Sequence, residues 1–443
     1  MNDVRGVPLG TSSAEAGAAH ERALWQLVSF YGDPFAGLDA TIAADPGWGL
    51  AQVMKADFVL TLTEPALLPL AREALAAAEP LMAGAPGRER AHHAAASLAL
   101  AGRWRAACEG WDAILCDHPR DLLALTCAHL FDFYRGDARS LRARVARVLP
   151  EWDGDDPLQP FVLGMHAFGL EECHLYPQAE ASGREALAHD ARGPWAIHAV
   201  AHVMEMQGRH AEGAAWLAER RADWAPDNGL AVHLWWHAAL FALETLDTQA
   251  ALALYDAQIG GAASTVNLQW LDAAALLWRL ELLGADVGTR WVDLARAWAD
   301  PVAHAGWYAF NDVHALMALQ RGGEPGRAQA LLDRNLAAAE QAAGDNRAMA
   351  CEVGVPLMQG LLAYARGDRA EAARRLYPLR GVAHHYGGSH AQRDLIDQTV
   401  LAAAAAPGGE RALGRALLNE RRLAKAATPL TRHWAQRLGV SMS

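Results

Sequence analysis

Apolar residues recur along this chain at the three- and four-residue intervals of a helical face, in long Ala- and Leu-rich stretches with few β-branched runs. This pattern predicts helix almost throughout. Short breaks separate the stretches, most of them at a glycine: Ala101-Gly102-Arg103, Arg135-Gly136-Asp137, Phe168-Gly169-Leu170, Gln207-Gly208-Arg209, Leu283-Gly284-Ala285, Arg321-Gly322-Gly323 and Arg366-Gly367-Asp368. Successive breaks are 34, 33, 39, 76, 38 and 45 residues apart, and the step of 76 divides into two of 38 at the Gly-less turn Glu244–Asp247. A chain that hands one helix to the next at such even spacing is a repeat array, built from helix, tight turn and helix.

A step of ~34 residues is that of the tetratricopeptide unit. Its small and aromatic positions are present in Leu98, Gly102, Ala107, Leu115, Pro119 and Ala124, and again in Tyr176, Ala179, Ala186 and Ala196. Small residues at these places let paired helices approach closely. The expected fold is all-α: an α-solenoid of about eight tetratricopeptide-like hairpins, curled into a right-handed superhelix. A length of 443 residues then needs only one domain, 19–443, preceded by a flexible segment 1–18 and closed by capping helices from about residue 409.

Composition narrows the function classes. Apolar residues make up 52% of the chain, which excludes a disordered chain, and a net charge of −12 leaves no electrostatic footprint for nucleic acid or an anionic membrane. The five cysteines are widely spaced with no CxxC pair, the N-terminus lacks the pattern of a signal peptide, and no apolar run reaches the ~20 residues of a membrane span. A cytoplasmic protein is expected. Against this ordinary background stand 16 Trp and 19 His, with only two lysines, Lys55 and Lys425.

The histidines are not scattered. In such arrays the first helix of each hairpin lines the concave surface, and His92, His93, His129, His166, His198, His202, His233, His237 and His314 all precede a turn. His198 and His202 are four residues apart, with Glu205 three further on, so one helical face carries all three. The next first helix repeats the spacing with His233 and His237 around Trp235 and Trp236. Later first helices add Asp272 and Arg279, then Asn311, Asp312 and His314. Last comes Gly387-Gly388-Ser389-His390-Ala391-Gln392-Arg393-Asp394, whose Gly-Gly-Ser opening reads as an N-cap region able to cradle an anion.

The phrases HAVAHVMEMQGR, LWWHAALFALE, DAAALLWRLEL, FNDVHALMAL and GGSHAQRD resemble those of the tetratricopeptide-repeat protein 38 family, over a span from about Trp25 to Trp434. The resemblance implies a solenoid protein of a kind found in bacteria and eukaryotes, and it brings no reaction with it. One position departs from the pattern: His390 stands where Asn is also usual, which weighs against a strict catalytic role for that residue.

Function therefore rests on the residues. The leading expectation is a concave pocket that binds a small polar molecule or a peptide. Its lining is His166, His198, His202, Glu205, His233, Trp236, His237, Asp272, Arg279, Asn311, Asp312, Ser389, His390, Gln392, Arg393 and Asp394. Ionisable and aromatic groups on successive first helices are costly to desolvate unless used or paired. The alternative is a hydrolase or lyase working by His/carboxylate acid–base chemistry, with His202, Glu205, Asp312 and His314 as catalytic candidates. No cofactor is expected. A divalent metal on His198, His202, His233 and His237 is the lesser alternative, beside the plainer one that these imidazoles only link stacked helices. A pocket requires Gly387–Asp394 to lie within about 20 Å of His198–His237, the scale of one small-ligand site.

Overall fold

The computed structural model describes residues 1–152, 154–298, 300–341 and 344–441. The expected all-α class holds. Helices succeed one another along the whole chain, and among the described residues the only β pairings are two isolated bridges, Asn2 with Pro8 and Tyr31 with Asn228.

The chain-reversal chemistry is uniform. Thr63, Gly102, Gly136, His174, Gly208, Leu246, Gly284, Gly323 and Gly367 each join two helices, and each holds a left-handed φ between 55° and 88°. They follow one another at 39, 34, 38, 34, 38, 38, 39 and 44 residues. The N–H of the next residue then reaches back five positions to a carbonyl of the helix just ended: Arg103 to Leu98 (2.9 Å), Asp137 to Asp132 (2.9 Å), Leu175 to Leu170 (2.9 Å), Arg209 to Met204 (2.8 Å), Asp247 to Ala242 (2.9 Å) and Asp368 to Ala363 (3.0 Å). This is the Schellman closure. In three turns the same residue caps the following helix, where Asp137, Asp247 and Asp368 accept from the N–H groups of Ser140, Ala250 and Glu371. Two residues thus end one helix and start another.

Two expected details shift. The turn assigned to Gly169 lies at His174, and Gly169 is inside the helix Gln159–Glu172. A Cβ there would stand 2.7 Å from the Arg142 Cα, so this glycine serves a close helix approach and not a reversal. The Gly-less turn is present as expected, with Leu246 taking the left-handed position.

The contacts group the residues into two units, a finer division than the single domain of the sequence reading. The first comprises 1–200, 222–231 and 343–345. It pairs Ala14–Ser29 with Pro34–Ala44, Gly49–Thr61 with Leu68–Ala78, Gly87–Leu100 with Trp104–Asp117, Leu122–Tyr134 with Ala138–Val148, and Gln159–Glu172 with Tyr176–His189. The N-terminal segment, expected to be flexible, is built into this unit. The Met1 amino group donates to the carbonyls of Leu9 and Thr11, Arg88 donates to Pro8 O (2.9 Å), and Val7 and Leu9 are buried.

The second unit comprises 201–221, 232–342 and 346–443. Here Asn267–Leu282 packs with Arg290–Ala297, Ala309–Arg321 with Pro325–Gln341, Val355–Ala365 with Arg369–Leu379, and His390–Ala405 with Arg411–Ala424. Pro429–Leu438 packs against the last pair. One continuous helical stretch, Asp345–Ala365, reaches 21 residues at a mean hydropathy of 1.3, long and apolar enough to cross a bilayer. More than half of it is buried within the protein, as in a core helix.

Twelve of the 16 tryptophans are buried, Trp48, Trp104, Trp111, Trp224, Trp236 and Trp434 almost completely, so the Trp excess belongs mainly to helix packing.

Candidate functional site

Helix Pro194–Met206 starts at a proline, which needs no N–H partner in a first turn, and ends at the Gly208 reversal. Its i, i+4 spacing sets His198 and His202 on one face, with Glu205 a further turn on. On Ala231–Glu244 the same spacing carries His233 and His237, and seven residues past His237 the face ends in Glu244. In the second unit the rings converge. His237 lies edge-on to His202 at 4.4 Å and to His233 at 4.8 Å between centroids, and His233 stacks on Trp236 at 5.3 Å.

Carboxylates brace this cluster. Asp272 Oδ2 is 2.9 Å from His233 Nδ1, and Glu205 Oε2 is 3.1 Å from His237 Nδ1. Burial dominates the titration of the second pair. It pushes the Glu205 carboxyl up to about 8, with Lys425 opposing and Glu244 and Asp394 adding to the shift. His237 is held well below the ordinary imidazole value, first by burial and then by the neighbouring imidazoles and Arg279.

Glu205 also faces a cleft of the second unit, with about 390 Å³ of empty space open to solvent. Glu244, Arg279, Asp394 and Gln398 supply its other polar lining; Leu240, Leu243, Leu282, Leu283, Leu430 and Trp434 supply the apolar part. The Arg279 guanidinium is buried and tied to backbone oxygens, from Nη1 to Ala275 O (3.1 Å) and from Nη2 to Ala391 O (2.7 Å) and Gln392 O (3.2 Å). Its carbon lies 5.4 Å over the Trp236 ring, and desolvation lowers its pKa. Asp394 accepts from Gln398 Nε2 (2.9 Å) and from Arg421, which also reaches Asp397 (2.9 Å). Burial alone would raise the Asp394 carboxyl, but the Arg421 charge and hydrogen bond, with Lys425, hold it below the usual carboxylate range. Lys425 Nζ donates to Glu244 Oε1 at 2.7 Å. The other Glu244 oxygen, Oε2, is buried with no hydrogen-bond partner among the described residues.

The expected approach of two distant segments is therefore met: Glu205 from one, and Ala391 and Asp394 from the other, line one cleft. Other expected residues fall elsewhere. Ser389 and Gln392 form a reciprocal capping box, with Gln392 N–H donating to Ser389 Oγ (3.2 Å) and Ser389 N–H to Gln392 Oε1 (2.9 Å). Arg393 bonds Gly388 O and His390 Nδ1. The proposed anion cradle is thus occupied by the helix's own cap. Asn311, Asp312 and His314 are buried on Ala309–Arg321 and are not among the cleft-lining residues. Asp312 accepts from Gly306 N–H (2.8 Å), and burial raises its carboxyl to about 7. His314 lies 2.8 Å from Phe310 O through Nδ1 and is lowered by burial to about 4.

Trp236 lies beneath Arg279, and Asp272 is engaged by His233, so both support the site from behind. In the first unit, His166 lies near Ser182 and His198 packs against Trp195 (5.0 Å) and Phe168 (5.2 Å). The sequence reading missed Glu244, which it placed in a turn, and Gln398; it missed Arg421, Lys425 and Trp434 because the last helices were read as a soluble cap. A signal was available: Glu244 continues the His237 face, and Lys425 is one of only two lysines. No family model matches the chain.

Proposed function

We propose that this chain is a cytoplasmic, tetratricopeptide-like solenoid, akin to the tetratricopeptide-repeat protein 38 family, whose second-unit cleft binds a small polar molecule. The near-constant spacing of left-handed turns supports the solenoid reading. The cleft supports the ligand reading through one observation above all: Glu244 keeps a buried carboxylate oxygen without a hydrogen bond at the cleft wall. Such an atom costs ~1–3 kcal/mol unless something bonds to it. A ligand offering a hydrogen-bond donor or a cationic group meets that need, and the leucines and Trp434 receive its apolar part.

A thermal-shift screen of the native chain and Glu244→Gln against metabolites, amines prominent among them, tests this reading. A ligand at a hundred times its Kd stabilises by about 2.7 kcal/mol. The expected result is a shift in the native protein that shrinks in Glu244→Gln. Equal shifts in both proteins, or none in the native protein, would overturn it. The hydrolase or lyase reading draws support from Glu205 at the cleft wall, paired with the buried His237 behind it. It predicts slow turnover of the ligand so identified, lost in His237→Gln.

A further inference from the structure

The imidazole cluster supports an assignment that does not depend on what occupies the cleft. His202, His233 and His237 each offer one ring nitrogen, and these nitrogens lie within 4.8 Å of one another. Polar linking of two helices requires a single imidazole–acceptor bond. It does not require three rings gathered around one point, two of them edge-on to the third at 4.4 and 4.8 Å between centroids.

The second observation is the bracing. The Nδ1 atoms of His233 and His237 are each in hydrogen-bond distance of a carboxylate, Asp272 at 2.9 Å and Glu205 at 3.1 Å. A carboxylate on Nδ1 fixes the tautomer that carries its proton there, orients the ring, and makes Nε2 the more basic lone pair. Metal-binding histidines are held in this way. Asp272 also brings negative charge toward a dication. The carboxylates come from helices Asn267–Leu282 and Pro194–Met206, so each stands on a different element from the histidine it holds.

We infer that His202, His233 and His237 form a site for a divalent first-row transition ion, zinc in the simplest case, with Asp272 and Glu205 as its outer partners. Three imidazoles and no thiolate suit zinc and its neighbours and disfavour magnesium or calcium. Tetrahedral zinc with bonds of about 2.05 Å needs nitrogens about 3.3 Å apart. From the present spacing that closure takes about 1.5 Å at most, a distance that small rotations about the side-chain torsions supply. His198, one turn before His202, is not required for the set.

The test uses the full chain, freed of metal with a chelator. Zn²⁺ is titrated in competition with a chromophoric chelator, and Co²⁺ is added separately as a visible-absorption probe. The expected result is one equivalent of Zn²⁺ per chain and Co²⁺ bands of a four- or five-coordinate site. His233→Ala is expected to weaken binding at least about 100-fold, and Asp272→Asn by about 10–100-fold. His233 is partly exposed and Asp272→Asn conserves volume, so far-ultraviolet circular dichroism should show native helix content in both. Absence of stoichiometric Zn²⁺ binding by the native chain overturns the assignment. So does binding that survives unchanged in both His233→Ala and His237→Gln, which would place the ion elsewhere.

Discussion

Replacing Asp312 by Asn should make the protein less sensitive to alkaline pH, by an amount the structure sets. The Asp312 carboxyl is buried, and burial pushes it up to about 7 against the opposing hydrogen bonds of Gly306 N–H and the Asn335 side chain. In the unfolded chain its pKa is about 3.9. Between these values the native state keeps a proton that the unfolded state has released. Stability therefore falls as pH rises from about 4 to about 7 and levels off above that. Three pKa units correspond to about 4 kcal/mol in all, more than half of it lost between pH 5 and 8. Asparagine keeps the size of the side chain and an oxygen to accept from Gly306, but it does not titrate. His20 and His129, both lowered by burial to about 3, change stability on the acid side, equally in both proteins. The assay is urea unfolding of native chain and variant at pH 5, 6, 7 and 8, followed by tryptophan fluorescence and circular dichroism. The difference in unfolding free energy should move in the variant's favour by about 2–3 kcal/mol across that range. A difference that stays flat within about 0.5 kcal/mol would refute the reasoning, since it would mean that Asp312 ionises in the native state as it does in water.

Three further outcomes test the packing. Lys425→Met strips the partner from a Glu244 carboxylate only 9% exposed and should cost about 3 kcal/mol in denaturant unfolding; the double variant with Glu244→Gln should recover most of it. Gly169→Ala forces a Cβ to 2.7 Å from the Arg142 Cα and should destabilise by about 1–3 kcal/mol, read as a lower thermal midpoint; an unchanged midpoint would show that the two helices separate easily. Leu246→Gly should be neutral or stabilise by up to about 1 kcal/mol, because relief of a left-handed leucine, φ 63°, outweighs the added freedom of the unfolded chain. A clear loss of stability on calorimetry would mean that the Leu246 side chain matters more than its backbone strain.

Much of the fold was legible because it is written locally. Gly102, Gly136, Gly208, Gly284, Gly323 and Gly367 announce a left-handed residue through their lack of a Cβ, and Asp137, Asp247 and Asp368 announce the cap that follows. Where the same conformation falls on Thr63 or His174 the announcement is missing, and a glycine five residues earlier, Gly169, took its place in the reading. Gly169 is small for a different reason, a neighbouring helix that the local pattern does not contain.

The candidate site divides along the same line. Helical periodicity alone put His202 with Glu205, and His233 with His237, on shared faces. It could not say that Asp272 and Glu205 would each hold an imidazole, or that Ser389 and Gln392 would spend their polar groups on capping their own helix. Nor could it give Glu244 a lysine 181 residues away, the pairing that sets one edge of the cleft. The sequence by itself determined which residues are helical, where most helices end and which faces carry imidazole and carboxylate, because those depend on bonds and spacings within a few residues. Only the tertiary structure decided which faces meet and which charges are buried together, because desolvation and pairing depend on groups far apart in the chain.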